Sequence, residues 1–210
     1  MLTRPRHGWR PVPQGAPAGL VPWLTDAHSL TAAVRMRCKV LRVEVLRQHL
    51  GRALPDEAAL LGVRPGARVW VREVALLADG VPWVWARSTA RIGDLRAVWR
   101  DLAGLGNRSL GAALFADRRV SRGTLLVRAL GRRDRRGHAA LQRFAAPLAA
   151  TLWARRSLFR RGGGRILVTE VFARDIPPRA IARALAPSRR EGLARRGGET
   201  SVNRARPASA

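Results

Sequence analysis

Two apolar runs of ten residues meet at Asp79-Gly80, and this pairing constrains the fold more than any other feature of the chain. Arg68–Leu77 is rich in β-branched and aromatic residues, Ala78-Asp79-Gly80 supplies a turn, and Val81–Ala90 returns. An Asp-Gly pair tolerates the positive φ angles of a tight primed turn, so the segment predicts a β-hairpin. Pro82 stands at the start of its strand, where a missing N–H is tolerated. Trp153–Phe159 and Arg165–Phe172, joined through Arg160-Arg161-Gly162-Gly163-Gly164, predict a second hairpin, and Lys39–Gln48 and Gly123–Leu130 read as further strands. Six strands with short connections imply a single antiparallel sheet.

Helical segments fall between the strands. Thr25 or Asp26 can cap a helix running through Leu30 to Val34, and Ile92–Leu102 places Leu95, Val98, Trp99 and Leu102 at a helical period. Asn107-Arg108-Ser109 can cap Leu110–Phe115, and Ala139–Leu152 is a fourth apolar stretch, interrupted at Pro147. The class is therefore α+β. Residues 1–19, rich in proline, read as an extended arm, and residues 20–175 as the folded body. Residues 176–210 carry eight arginines against Glu191 and Glu199 and read as a flexible tail.

The formal net charge of +26 comes almost entirely from arginine, because Lys39 is the only lysine among 40 basic residues. The arginines are spread along the chain with no dominant block before the tail, so no specific nucleic-acid partner is expected. One cysteine, Cys38, excludes an internal disulfide framework, and it reads as a core thiol although Lys39 adjoins it. No apolar run approaches the ~18–20 residues needed to span a bilayer, and the proline-containing N-terminus lacks the apolar core of a secretory signal. A cytoplasmic setting is expected. His7, His28, His49 and His138 have no metal-ligand spacing, and no nucleophile-elbow motif occurs.

Strand alternation sends two charged residues inward. Glu170 shares a face with Ile166, Val168 and Phe172, and the opposite set is also apolar, which predicts a central strand covered on both sides. A carboxylate there must meet a buried cation or stay protonated. Arg72 alternates with Trp70, Val74 and Leu76, the setting for a bidentate carboxylate clamp, while Glu73 lies on the other face. A structural Arg72–Glu170 ion pair is the competing reading of both. Arg87, on the face of Trp83 and Trp85, reads as a packed rim cation able to stack on them. Arg155-Arg156 and Arg160-Arg161 read as a solvated face, and the glycine-containing loop 104–111 leads into a helix N-terminus that can attract an anion.

Four segments, taken in order, resemble the chorismate pyruvate-lyases, bacterial enzymes that make 4-hydroxybenzoate for ubiquinone. They are Trp70–Trp83, Ser109–Phe115, Leu152–Ser157 and Leu167–Phe172. The resemblance implies one antiparallel sheet with helical flaps over an internal ligand cavity. It also implies loss of pyruvate from chorismate without metal or organic cofactor. Carried over by position, Arg72 is expected to hold the ring carboxylate and Glu170 to face the hydroxyl and ether side. Leu110 is expected to contact the ligand at a helix start. Leu30 stands where the enterobacterial form has methionine. An insertion over about Gly131–Ala149 and the arginine-rich tail depart from the short form of the family, and both are expected to be peripheral.

The expected partner is chorismate, bound by a monomer, with weak contact between the tail and an anionic membrane surface. Two rivals belong to other classes: a non-catalytic ligand-binding domain of the same fold, and an arginine-rich nucleic-acid binder. The first normally follows a DNA-binding domain, for which the proline-rich residues before the body leave no room.

Overall fold

The computed structural model describes residues 8–178; Met1–His7 and, of the expected tail over 176–210, everything after Pro178 lie outside the described residues. Seven antiparallel strands form one sheet: β1 (Leu41–Arg52), β2 (Arg68–Ala78), β3 (Val81–Ala90), β4 (Ser121–Arg122), β5 (Leu126–Leu130), β6 (Leu152–Arg161) and β7 (Gly164–Phe172). Their order is β1-β2-β3-β7-β6-β4, with β5 also paired to β6. The count exceeds the expected six by β4, whose two residues are too short to leave a pattern in sequence. Both expected hairpins form, and both turn through paired positive φ angles, 49° and 84° at Asp79 and Gly80 and 50° and 82° at Gly162 and Gly163. Asp79 does more than turn, since its carboxylate accepts the N–H groups of Lys39 and Val40 and so fixes the approach to β1.

Among the described residues, seven helices pack about the sheet: α1 (Val21–Thr25), α2 (Leu30–Arg35), α3 (Pro55–Leu61), α4 (Ile92–Ala97), α5 (Arg100–Ala103), α6 (Leu110–Ala116) and α7 (Arg135–Arg143). Several departures from the sequence reading have local causes. The first helix is two, and Ser29, not Thr25 or Asp26, caps α2 by accepting the Ala32 N–H. The expected helix over 92–102 breaks at Val98 and Trp99, because the fully buried Trp99 seats against Gly164, where a Cβ would lie 2.9 Å from its Nε1. The helix expected over 139–152 starts earlier, at the Asp134 cap, and stops at Phe144; Ala145 has φ of 49° and Pro147 follows.

Helix α3 was not anticipated. Its signals are short: Pro55 at the first position, Asp56 and Glu57 in the first turn, and Gly62 in the left-handed conformation that ends it. Residues 8–19, expected as an extended arm, are seated on the body. Trp9 is 1% exposed and donates Nε1–H to Asp56 at 2.8 Å, and Arg10 bridges Val127. Beyond β7, Ile176 is buried and the Pro177 carbonyl accepts Trp23 Nε1–H at 2.9 Å.

The sheet is covered on both sides, as the strand around Glu170 suggested. On the side of α3 and α7, the row Glu73–Arg87–Thr169–Arg156 crosses β2, β3, β7 and β6. Arg87 neither stacks nor sits at a rim. It is buried, with Nε donating to Glu57 at 2.9 Å and Nη1 to Glu73 at 2.8 Å. Cys38 lies half-buried against the core with its thiol directed at the Val34 carbonyl, and burial, then the Asp79 charge, raises its pKa above the ordinary thiol value. It is not an activated thiol.

Candidate active site

The opposite face of the sheet carries the residues expected to form the site. Arg72, Ser88, Val168 and Ser157 form one row across β2, β3, β7 and β6. The adjacent row is Val74, Ala86, Glu170 and Arg155. Arg72 and Glu170 therefore lie two strands and one row apart, roughly 12 Å between Cα atoms at ordinary strand spacings. Both side chains line one cavity with Val74, Ala86 and Ser88 between them.

Arg72 is 2% exposed, yet among the described residues no carboxylate forms a salt bridge with it. Its donors reach only neutral acceptors: Nη1 donates to Gln48 Oε1 at 2.9 Å, and Nη2 to the carbonyls of Gly106 at 2.7 Å and Arg108 at 3.3 Å. Its Nε is buried without a hydrogen-bond partner. Burial lowers its pKa, but an arginine keeps its charge in a protein. A buried, uncompensated guanidinium is costly and attracts an anion strongly.

Glu170 does not pair with Arg72. Its Oε2 accepts Arg155 Nε–H at 2.5 Å, and the two residues are direct cross-strand partners. Arg155 also donates Nη1–H to the carbonyls of Trp23 and Asp26, at 2.7 and 2.8 Å, within and at the end of α1. The reading of Arg155-Arg156 as a solvated face is thus corrected: both are buried, Arg155 on the cavity side and Arg156 beside Asp56. Along Arg155–Ser157, β6 is flanked by strands on both edges and covered on both faces, so these three polar side chains are buried. For the next pair, Arg160 is exposed, while Arg161 is held by Asp101 and Asp117.

Two short helices close the cavity. Each begins Ser-Leu, with Ser29 capping α2 and Ser109 capping α6, so Leu30 and Leu110 occupy the first helical positions. Both leucines are buried and line the cavity, where the N–H groups of a first turn have no intrahelical acceptor. Thr31 Oγ1 and Ser109 Oγ meet at 2.7 Å and join the two flaps. The free interior is about 50 Å³, room for a water or two, whereas a site that holds benzene needs about 150 Å³. An aromatic ligand therefore requires α2 and α6 to yield.

A wider concavity, about 1060 Å³, lies between β1 and α7 and is lined by Arg47, Arg52, Arg132, Arg133 and Arg135 among others. These five arginines are exposed, and their charges are solvated. Charge does its chemical work where water is excluded, which favours the closed cavity as the reaction site. The clustering itself was invisible in sequence, because β1 and α7 meet only in three dimensions.

A buried cation without a counter-ion at one end, a paired carboxylate at the other and apolar walls suit a ring bearing a carboxylate and an opposite hydroxyl. Comparison with known proteins points the same way. The chorismate lyase family model matches residues 8–181. The chain belongs to the chorismate lyase family. A protein of Aromatoleum aromaticum described as a probable chorismate pyruvate-lyase is 54% identical over 165 residues, covering 78% of this chain and 89% of its own. Similarly described proteins of Azoarcus sp. and Nitrosomonas europaea are 49% and 41% identical, covering 76% and 82% of this chain and 86% and 96% of theirs. Among solved structures, the C-terminal domain of PhnF matches with a TM-score of 0.51 and 19% identity, covering 64% of this chain and 83% of its own. The C-terminal domain of the histidine utilization repressor of Pseudomonas syringae matches with a TM-score of 0.51 at 11% identity, covering 69% and 98%. These two establish the shared chorismate lyase-like fold.

The structure brings Leu30, Arg72, Leu110 and Glu170 to one cavity. It adds two arginines that sequence reasoning passed over, Arg155 and Arg122. Arg155 could have been found: a strand opposite a central carboxylate is where its cation should be sought. Arg122, on a strand of two residues, offered no such signal.

Proposed function

We propose that this chain eliminates pyruvate from chorismate to leave 4-hydroxybenzoate, as a cofactor-independent monomer in the cytoplasm, supplying the ring of ubiquinone. The observation that carries the reading is the cavity with an unpaired guanidinium, Arg72, at one end and the Glu170 carboxylate at the other.

In the proposed reaction the ring carbon–oxygen bond of the enol ether breaks, and the neighbouring carbon, which bears the hydroxyl, loses its hydrogen. The ring becomes aromatic, and the released enolpyruvate takes up a proton as pyruvate. Aromatisation supplies much of the driving force, so positioning and electrostatics in a water-excluded site account for most of the acceleration. Arg72 holds the ring carboxylate through both reactant and product. Glu170, paired with Arg155, accepts the hydrogen bond of the ring hydroxyl as it turns phenolic. Leu110 offers its backbone N–H at the helix start, and Leu30 shapes the wall opposite. The tail, with eight arginines against two glutamates, supports weak contact with an anionic bilayer surface. Among the described residues no helix is long and apolar enough to cross a membrane.

The deciding experiment incubates the purified chain with chorismate and follows 4-hydroxybenzoate and pyruvate by chromatography, with and without EDTA. Equal amounts of both products, unaffected by the chelator, are expected. Tight binding of 4-hydroxybenzoate with no turnover would instead identify a ligand-binding module.

Two further outcomes follow from the geometry. Glu170→Gln is expected to lower kcat about tenfold or more while changing KM for chorismate by less than about threefold, because it acts where the hydroxyl changes character. An equal effect on substrate affinity would count against that role. Truncation after Pro178 keeps Ile176 and Pro177, which pack on the body, and should leave kcat within a few-fold. A loss of about a hundredfold would show that residues beyond 178 complete the site.

A further inference from the structure

Chorismate carries two carboxylates, one on the ring and one on the enolpyruvyl group, and Arg72 accounts for only the first. The cavity is lined by four charged side chains: Arg72, Arg122, Arg155 and Glu170. Three guanidinium charges against one carboxylate leave two positive charges uncompensated, which matches a dianion. Arg155 is spent on Glu170 and on two carbonyls of α1 and its C-cap. The second unmatched charge is Arg122.

Arg122 sits on β4, beyond β6 and opposite Phe159, so across the sheet it lies on the far side of β7 from Arg72. Its Nε donates to Ser157 Oγ at 2.9 Å and its Nη1 to the Ala27 carbonyl, between α1 and α2. Its Nη2 makes no hydrogen bond among the described residues, and no carboxylate forms a salt bridge with it. The guanidinium lies 5.4 Å from the ring centres of both Phe115 and Phe159, which flank the half-buried side chain. Burial, then the nearby Arg155 charge, lowers its pKa against longer-range attraction from Glu170 and Asp26.

We propose that Arg122 holds the enolpyruvyl carboxylate of chorismate, so that the cavity takes a dicarboxylate before the reaction and keeps a monocarboxylate after it. The inference rests on the lyase reading above. Loss of pyruvate then removes the anion from Arg122 while Arg72 retains its own, and the two arginines divide substrate recognition from product retention.

The test compares two ligands on the full chain. Arg122→Gln should lower kcat/KM for chorismate by about 30-fold or more, the worth of a charge-assisted bond to a buried carboxylate. It should change the dissociation constant of 4-hydroxybenzoate by less than about threefold, since that ligand has no second carboxylate. Arg122→Lys, which keeps the charge and is the variant to use if Arg122→Gln does not fold, should fall between the two on chorismate alone. Equal weakening of both ligands would assign Arg122 to flap anchoring through Ala27 and overturn the proposal, as would unchanged kinetics. If the wild-type chain does not turn over chorismate at all, the lyase reading fails and this subsite fails with it.

Discussion

Arg72→Ala is expected to weaken both chorismate and 4-hydroxybenzoate by about a hundredfold or more, a change of about 2.7 kcal/mol. The magnitude follows from the environment of the guanidinium. It is buried, has no carboxylate partner among the described residues, and keeps a buried Nε without an acceptor. A ligand carboxylate would therefore meet a full charge in a low-dielectric site, where hydrogen bonds between ionised groups contribute ~1.5–3 kcal/mol each. Because the ring carboxylate persists in the product, both ligands should suffer alike, in contrast to the one-sided effect expected at Arg122. Arg72→Lys should recover only part of the affinity, since an ammonium cannot reproduce the planar fork. Arg72 also ties down the Gly106 and Arg108 carbonyls ahead of α6, so thermal melts must accompany the titrations. Unchanged product affinity in a folded Arg72→Ala variant would place the carboxylate elsewhere.

The second large effect lies on the other face of the sheet and concerns stability. Asp56 Oδ2 accepts three donors: Trp9 Nε1 at 2.8 Å, Arg136 Nη1 at 2.9 Å and Arg156 Nη1 at 2.7 Å. All four residues are buried. Arg136 retains Asp134, but Arg156 Nε is already without a partner, and burial pushes the Arg156 pKa down to about 10. Asp56→Ala would strand that charge and cost ~3–5 kcal/mol, a fall of roughly 8–15 °C in Tm for a domain of this size.

The effect should depend on pH. Burial alone would raise the Asp56 pKa, yet Arg136, Trp9 and Arg156 outweigh it and hold the value below the ordinary carboxylate range. A carboxyl lowered on folding stabilises above its unfolded pKa, and that contribution disappears as pH falls through the folded value. The Tm gap between wild type and Asp56→Ala should thus be full at neutral pH and narrow in acid. A variant melting within about 2 °C of wild type at pH 7 would show that the cluster relaxes or hydrates at little cost.

Much of this molecule was legible along the chain, and the legible parts share a cause. Period-two alternation and the Asp79-Gly80 and Gly162-Gly163 turns are local signals, so both hairpins and the shared inward face of Arg72 and Glu170 could be read from consecutive residues. The Ser109 cap at the start of α6 was equally local. The α+β class followed from these elements without any long-range contact.

Pairing was another matter. Alternation says that Glu170 points inward but not which cation meets it, and only the register of β6 against β7 puts Arg155 opposite it. The same holds for Arg156, Arg136 and Trp9 around Asp56, drawn from three separate elements and the N-terminal arm. A run such as Arg155-Arg156 looks solvated because arginine usually is. Whether it is buried depends on how many neighbours its strand acquires, and that is set by the order of the sheet. Arg122 marks the limit: two residues of strand carry no periodic signal, and its place beside the cavity arises from pairing with β6 alone. The residues that enter the sheet are thus chosen by local physical chemistry, while the electrostatic partners of the buried ones are chosen by non-local strand register.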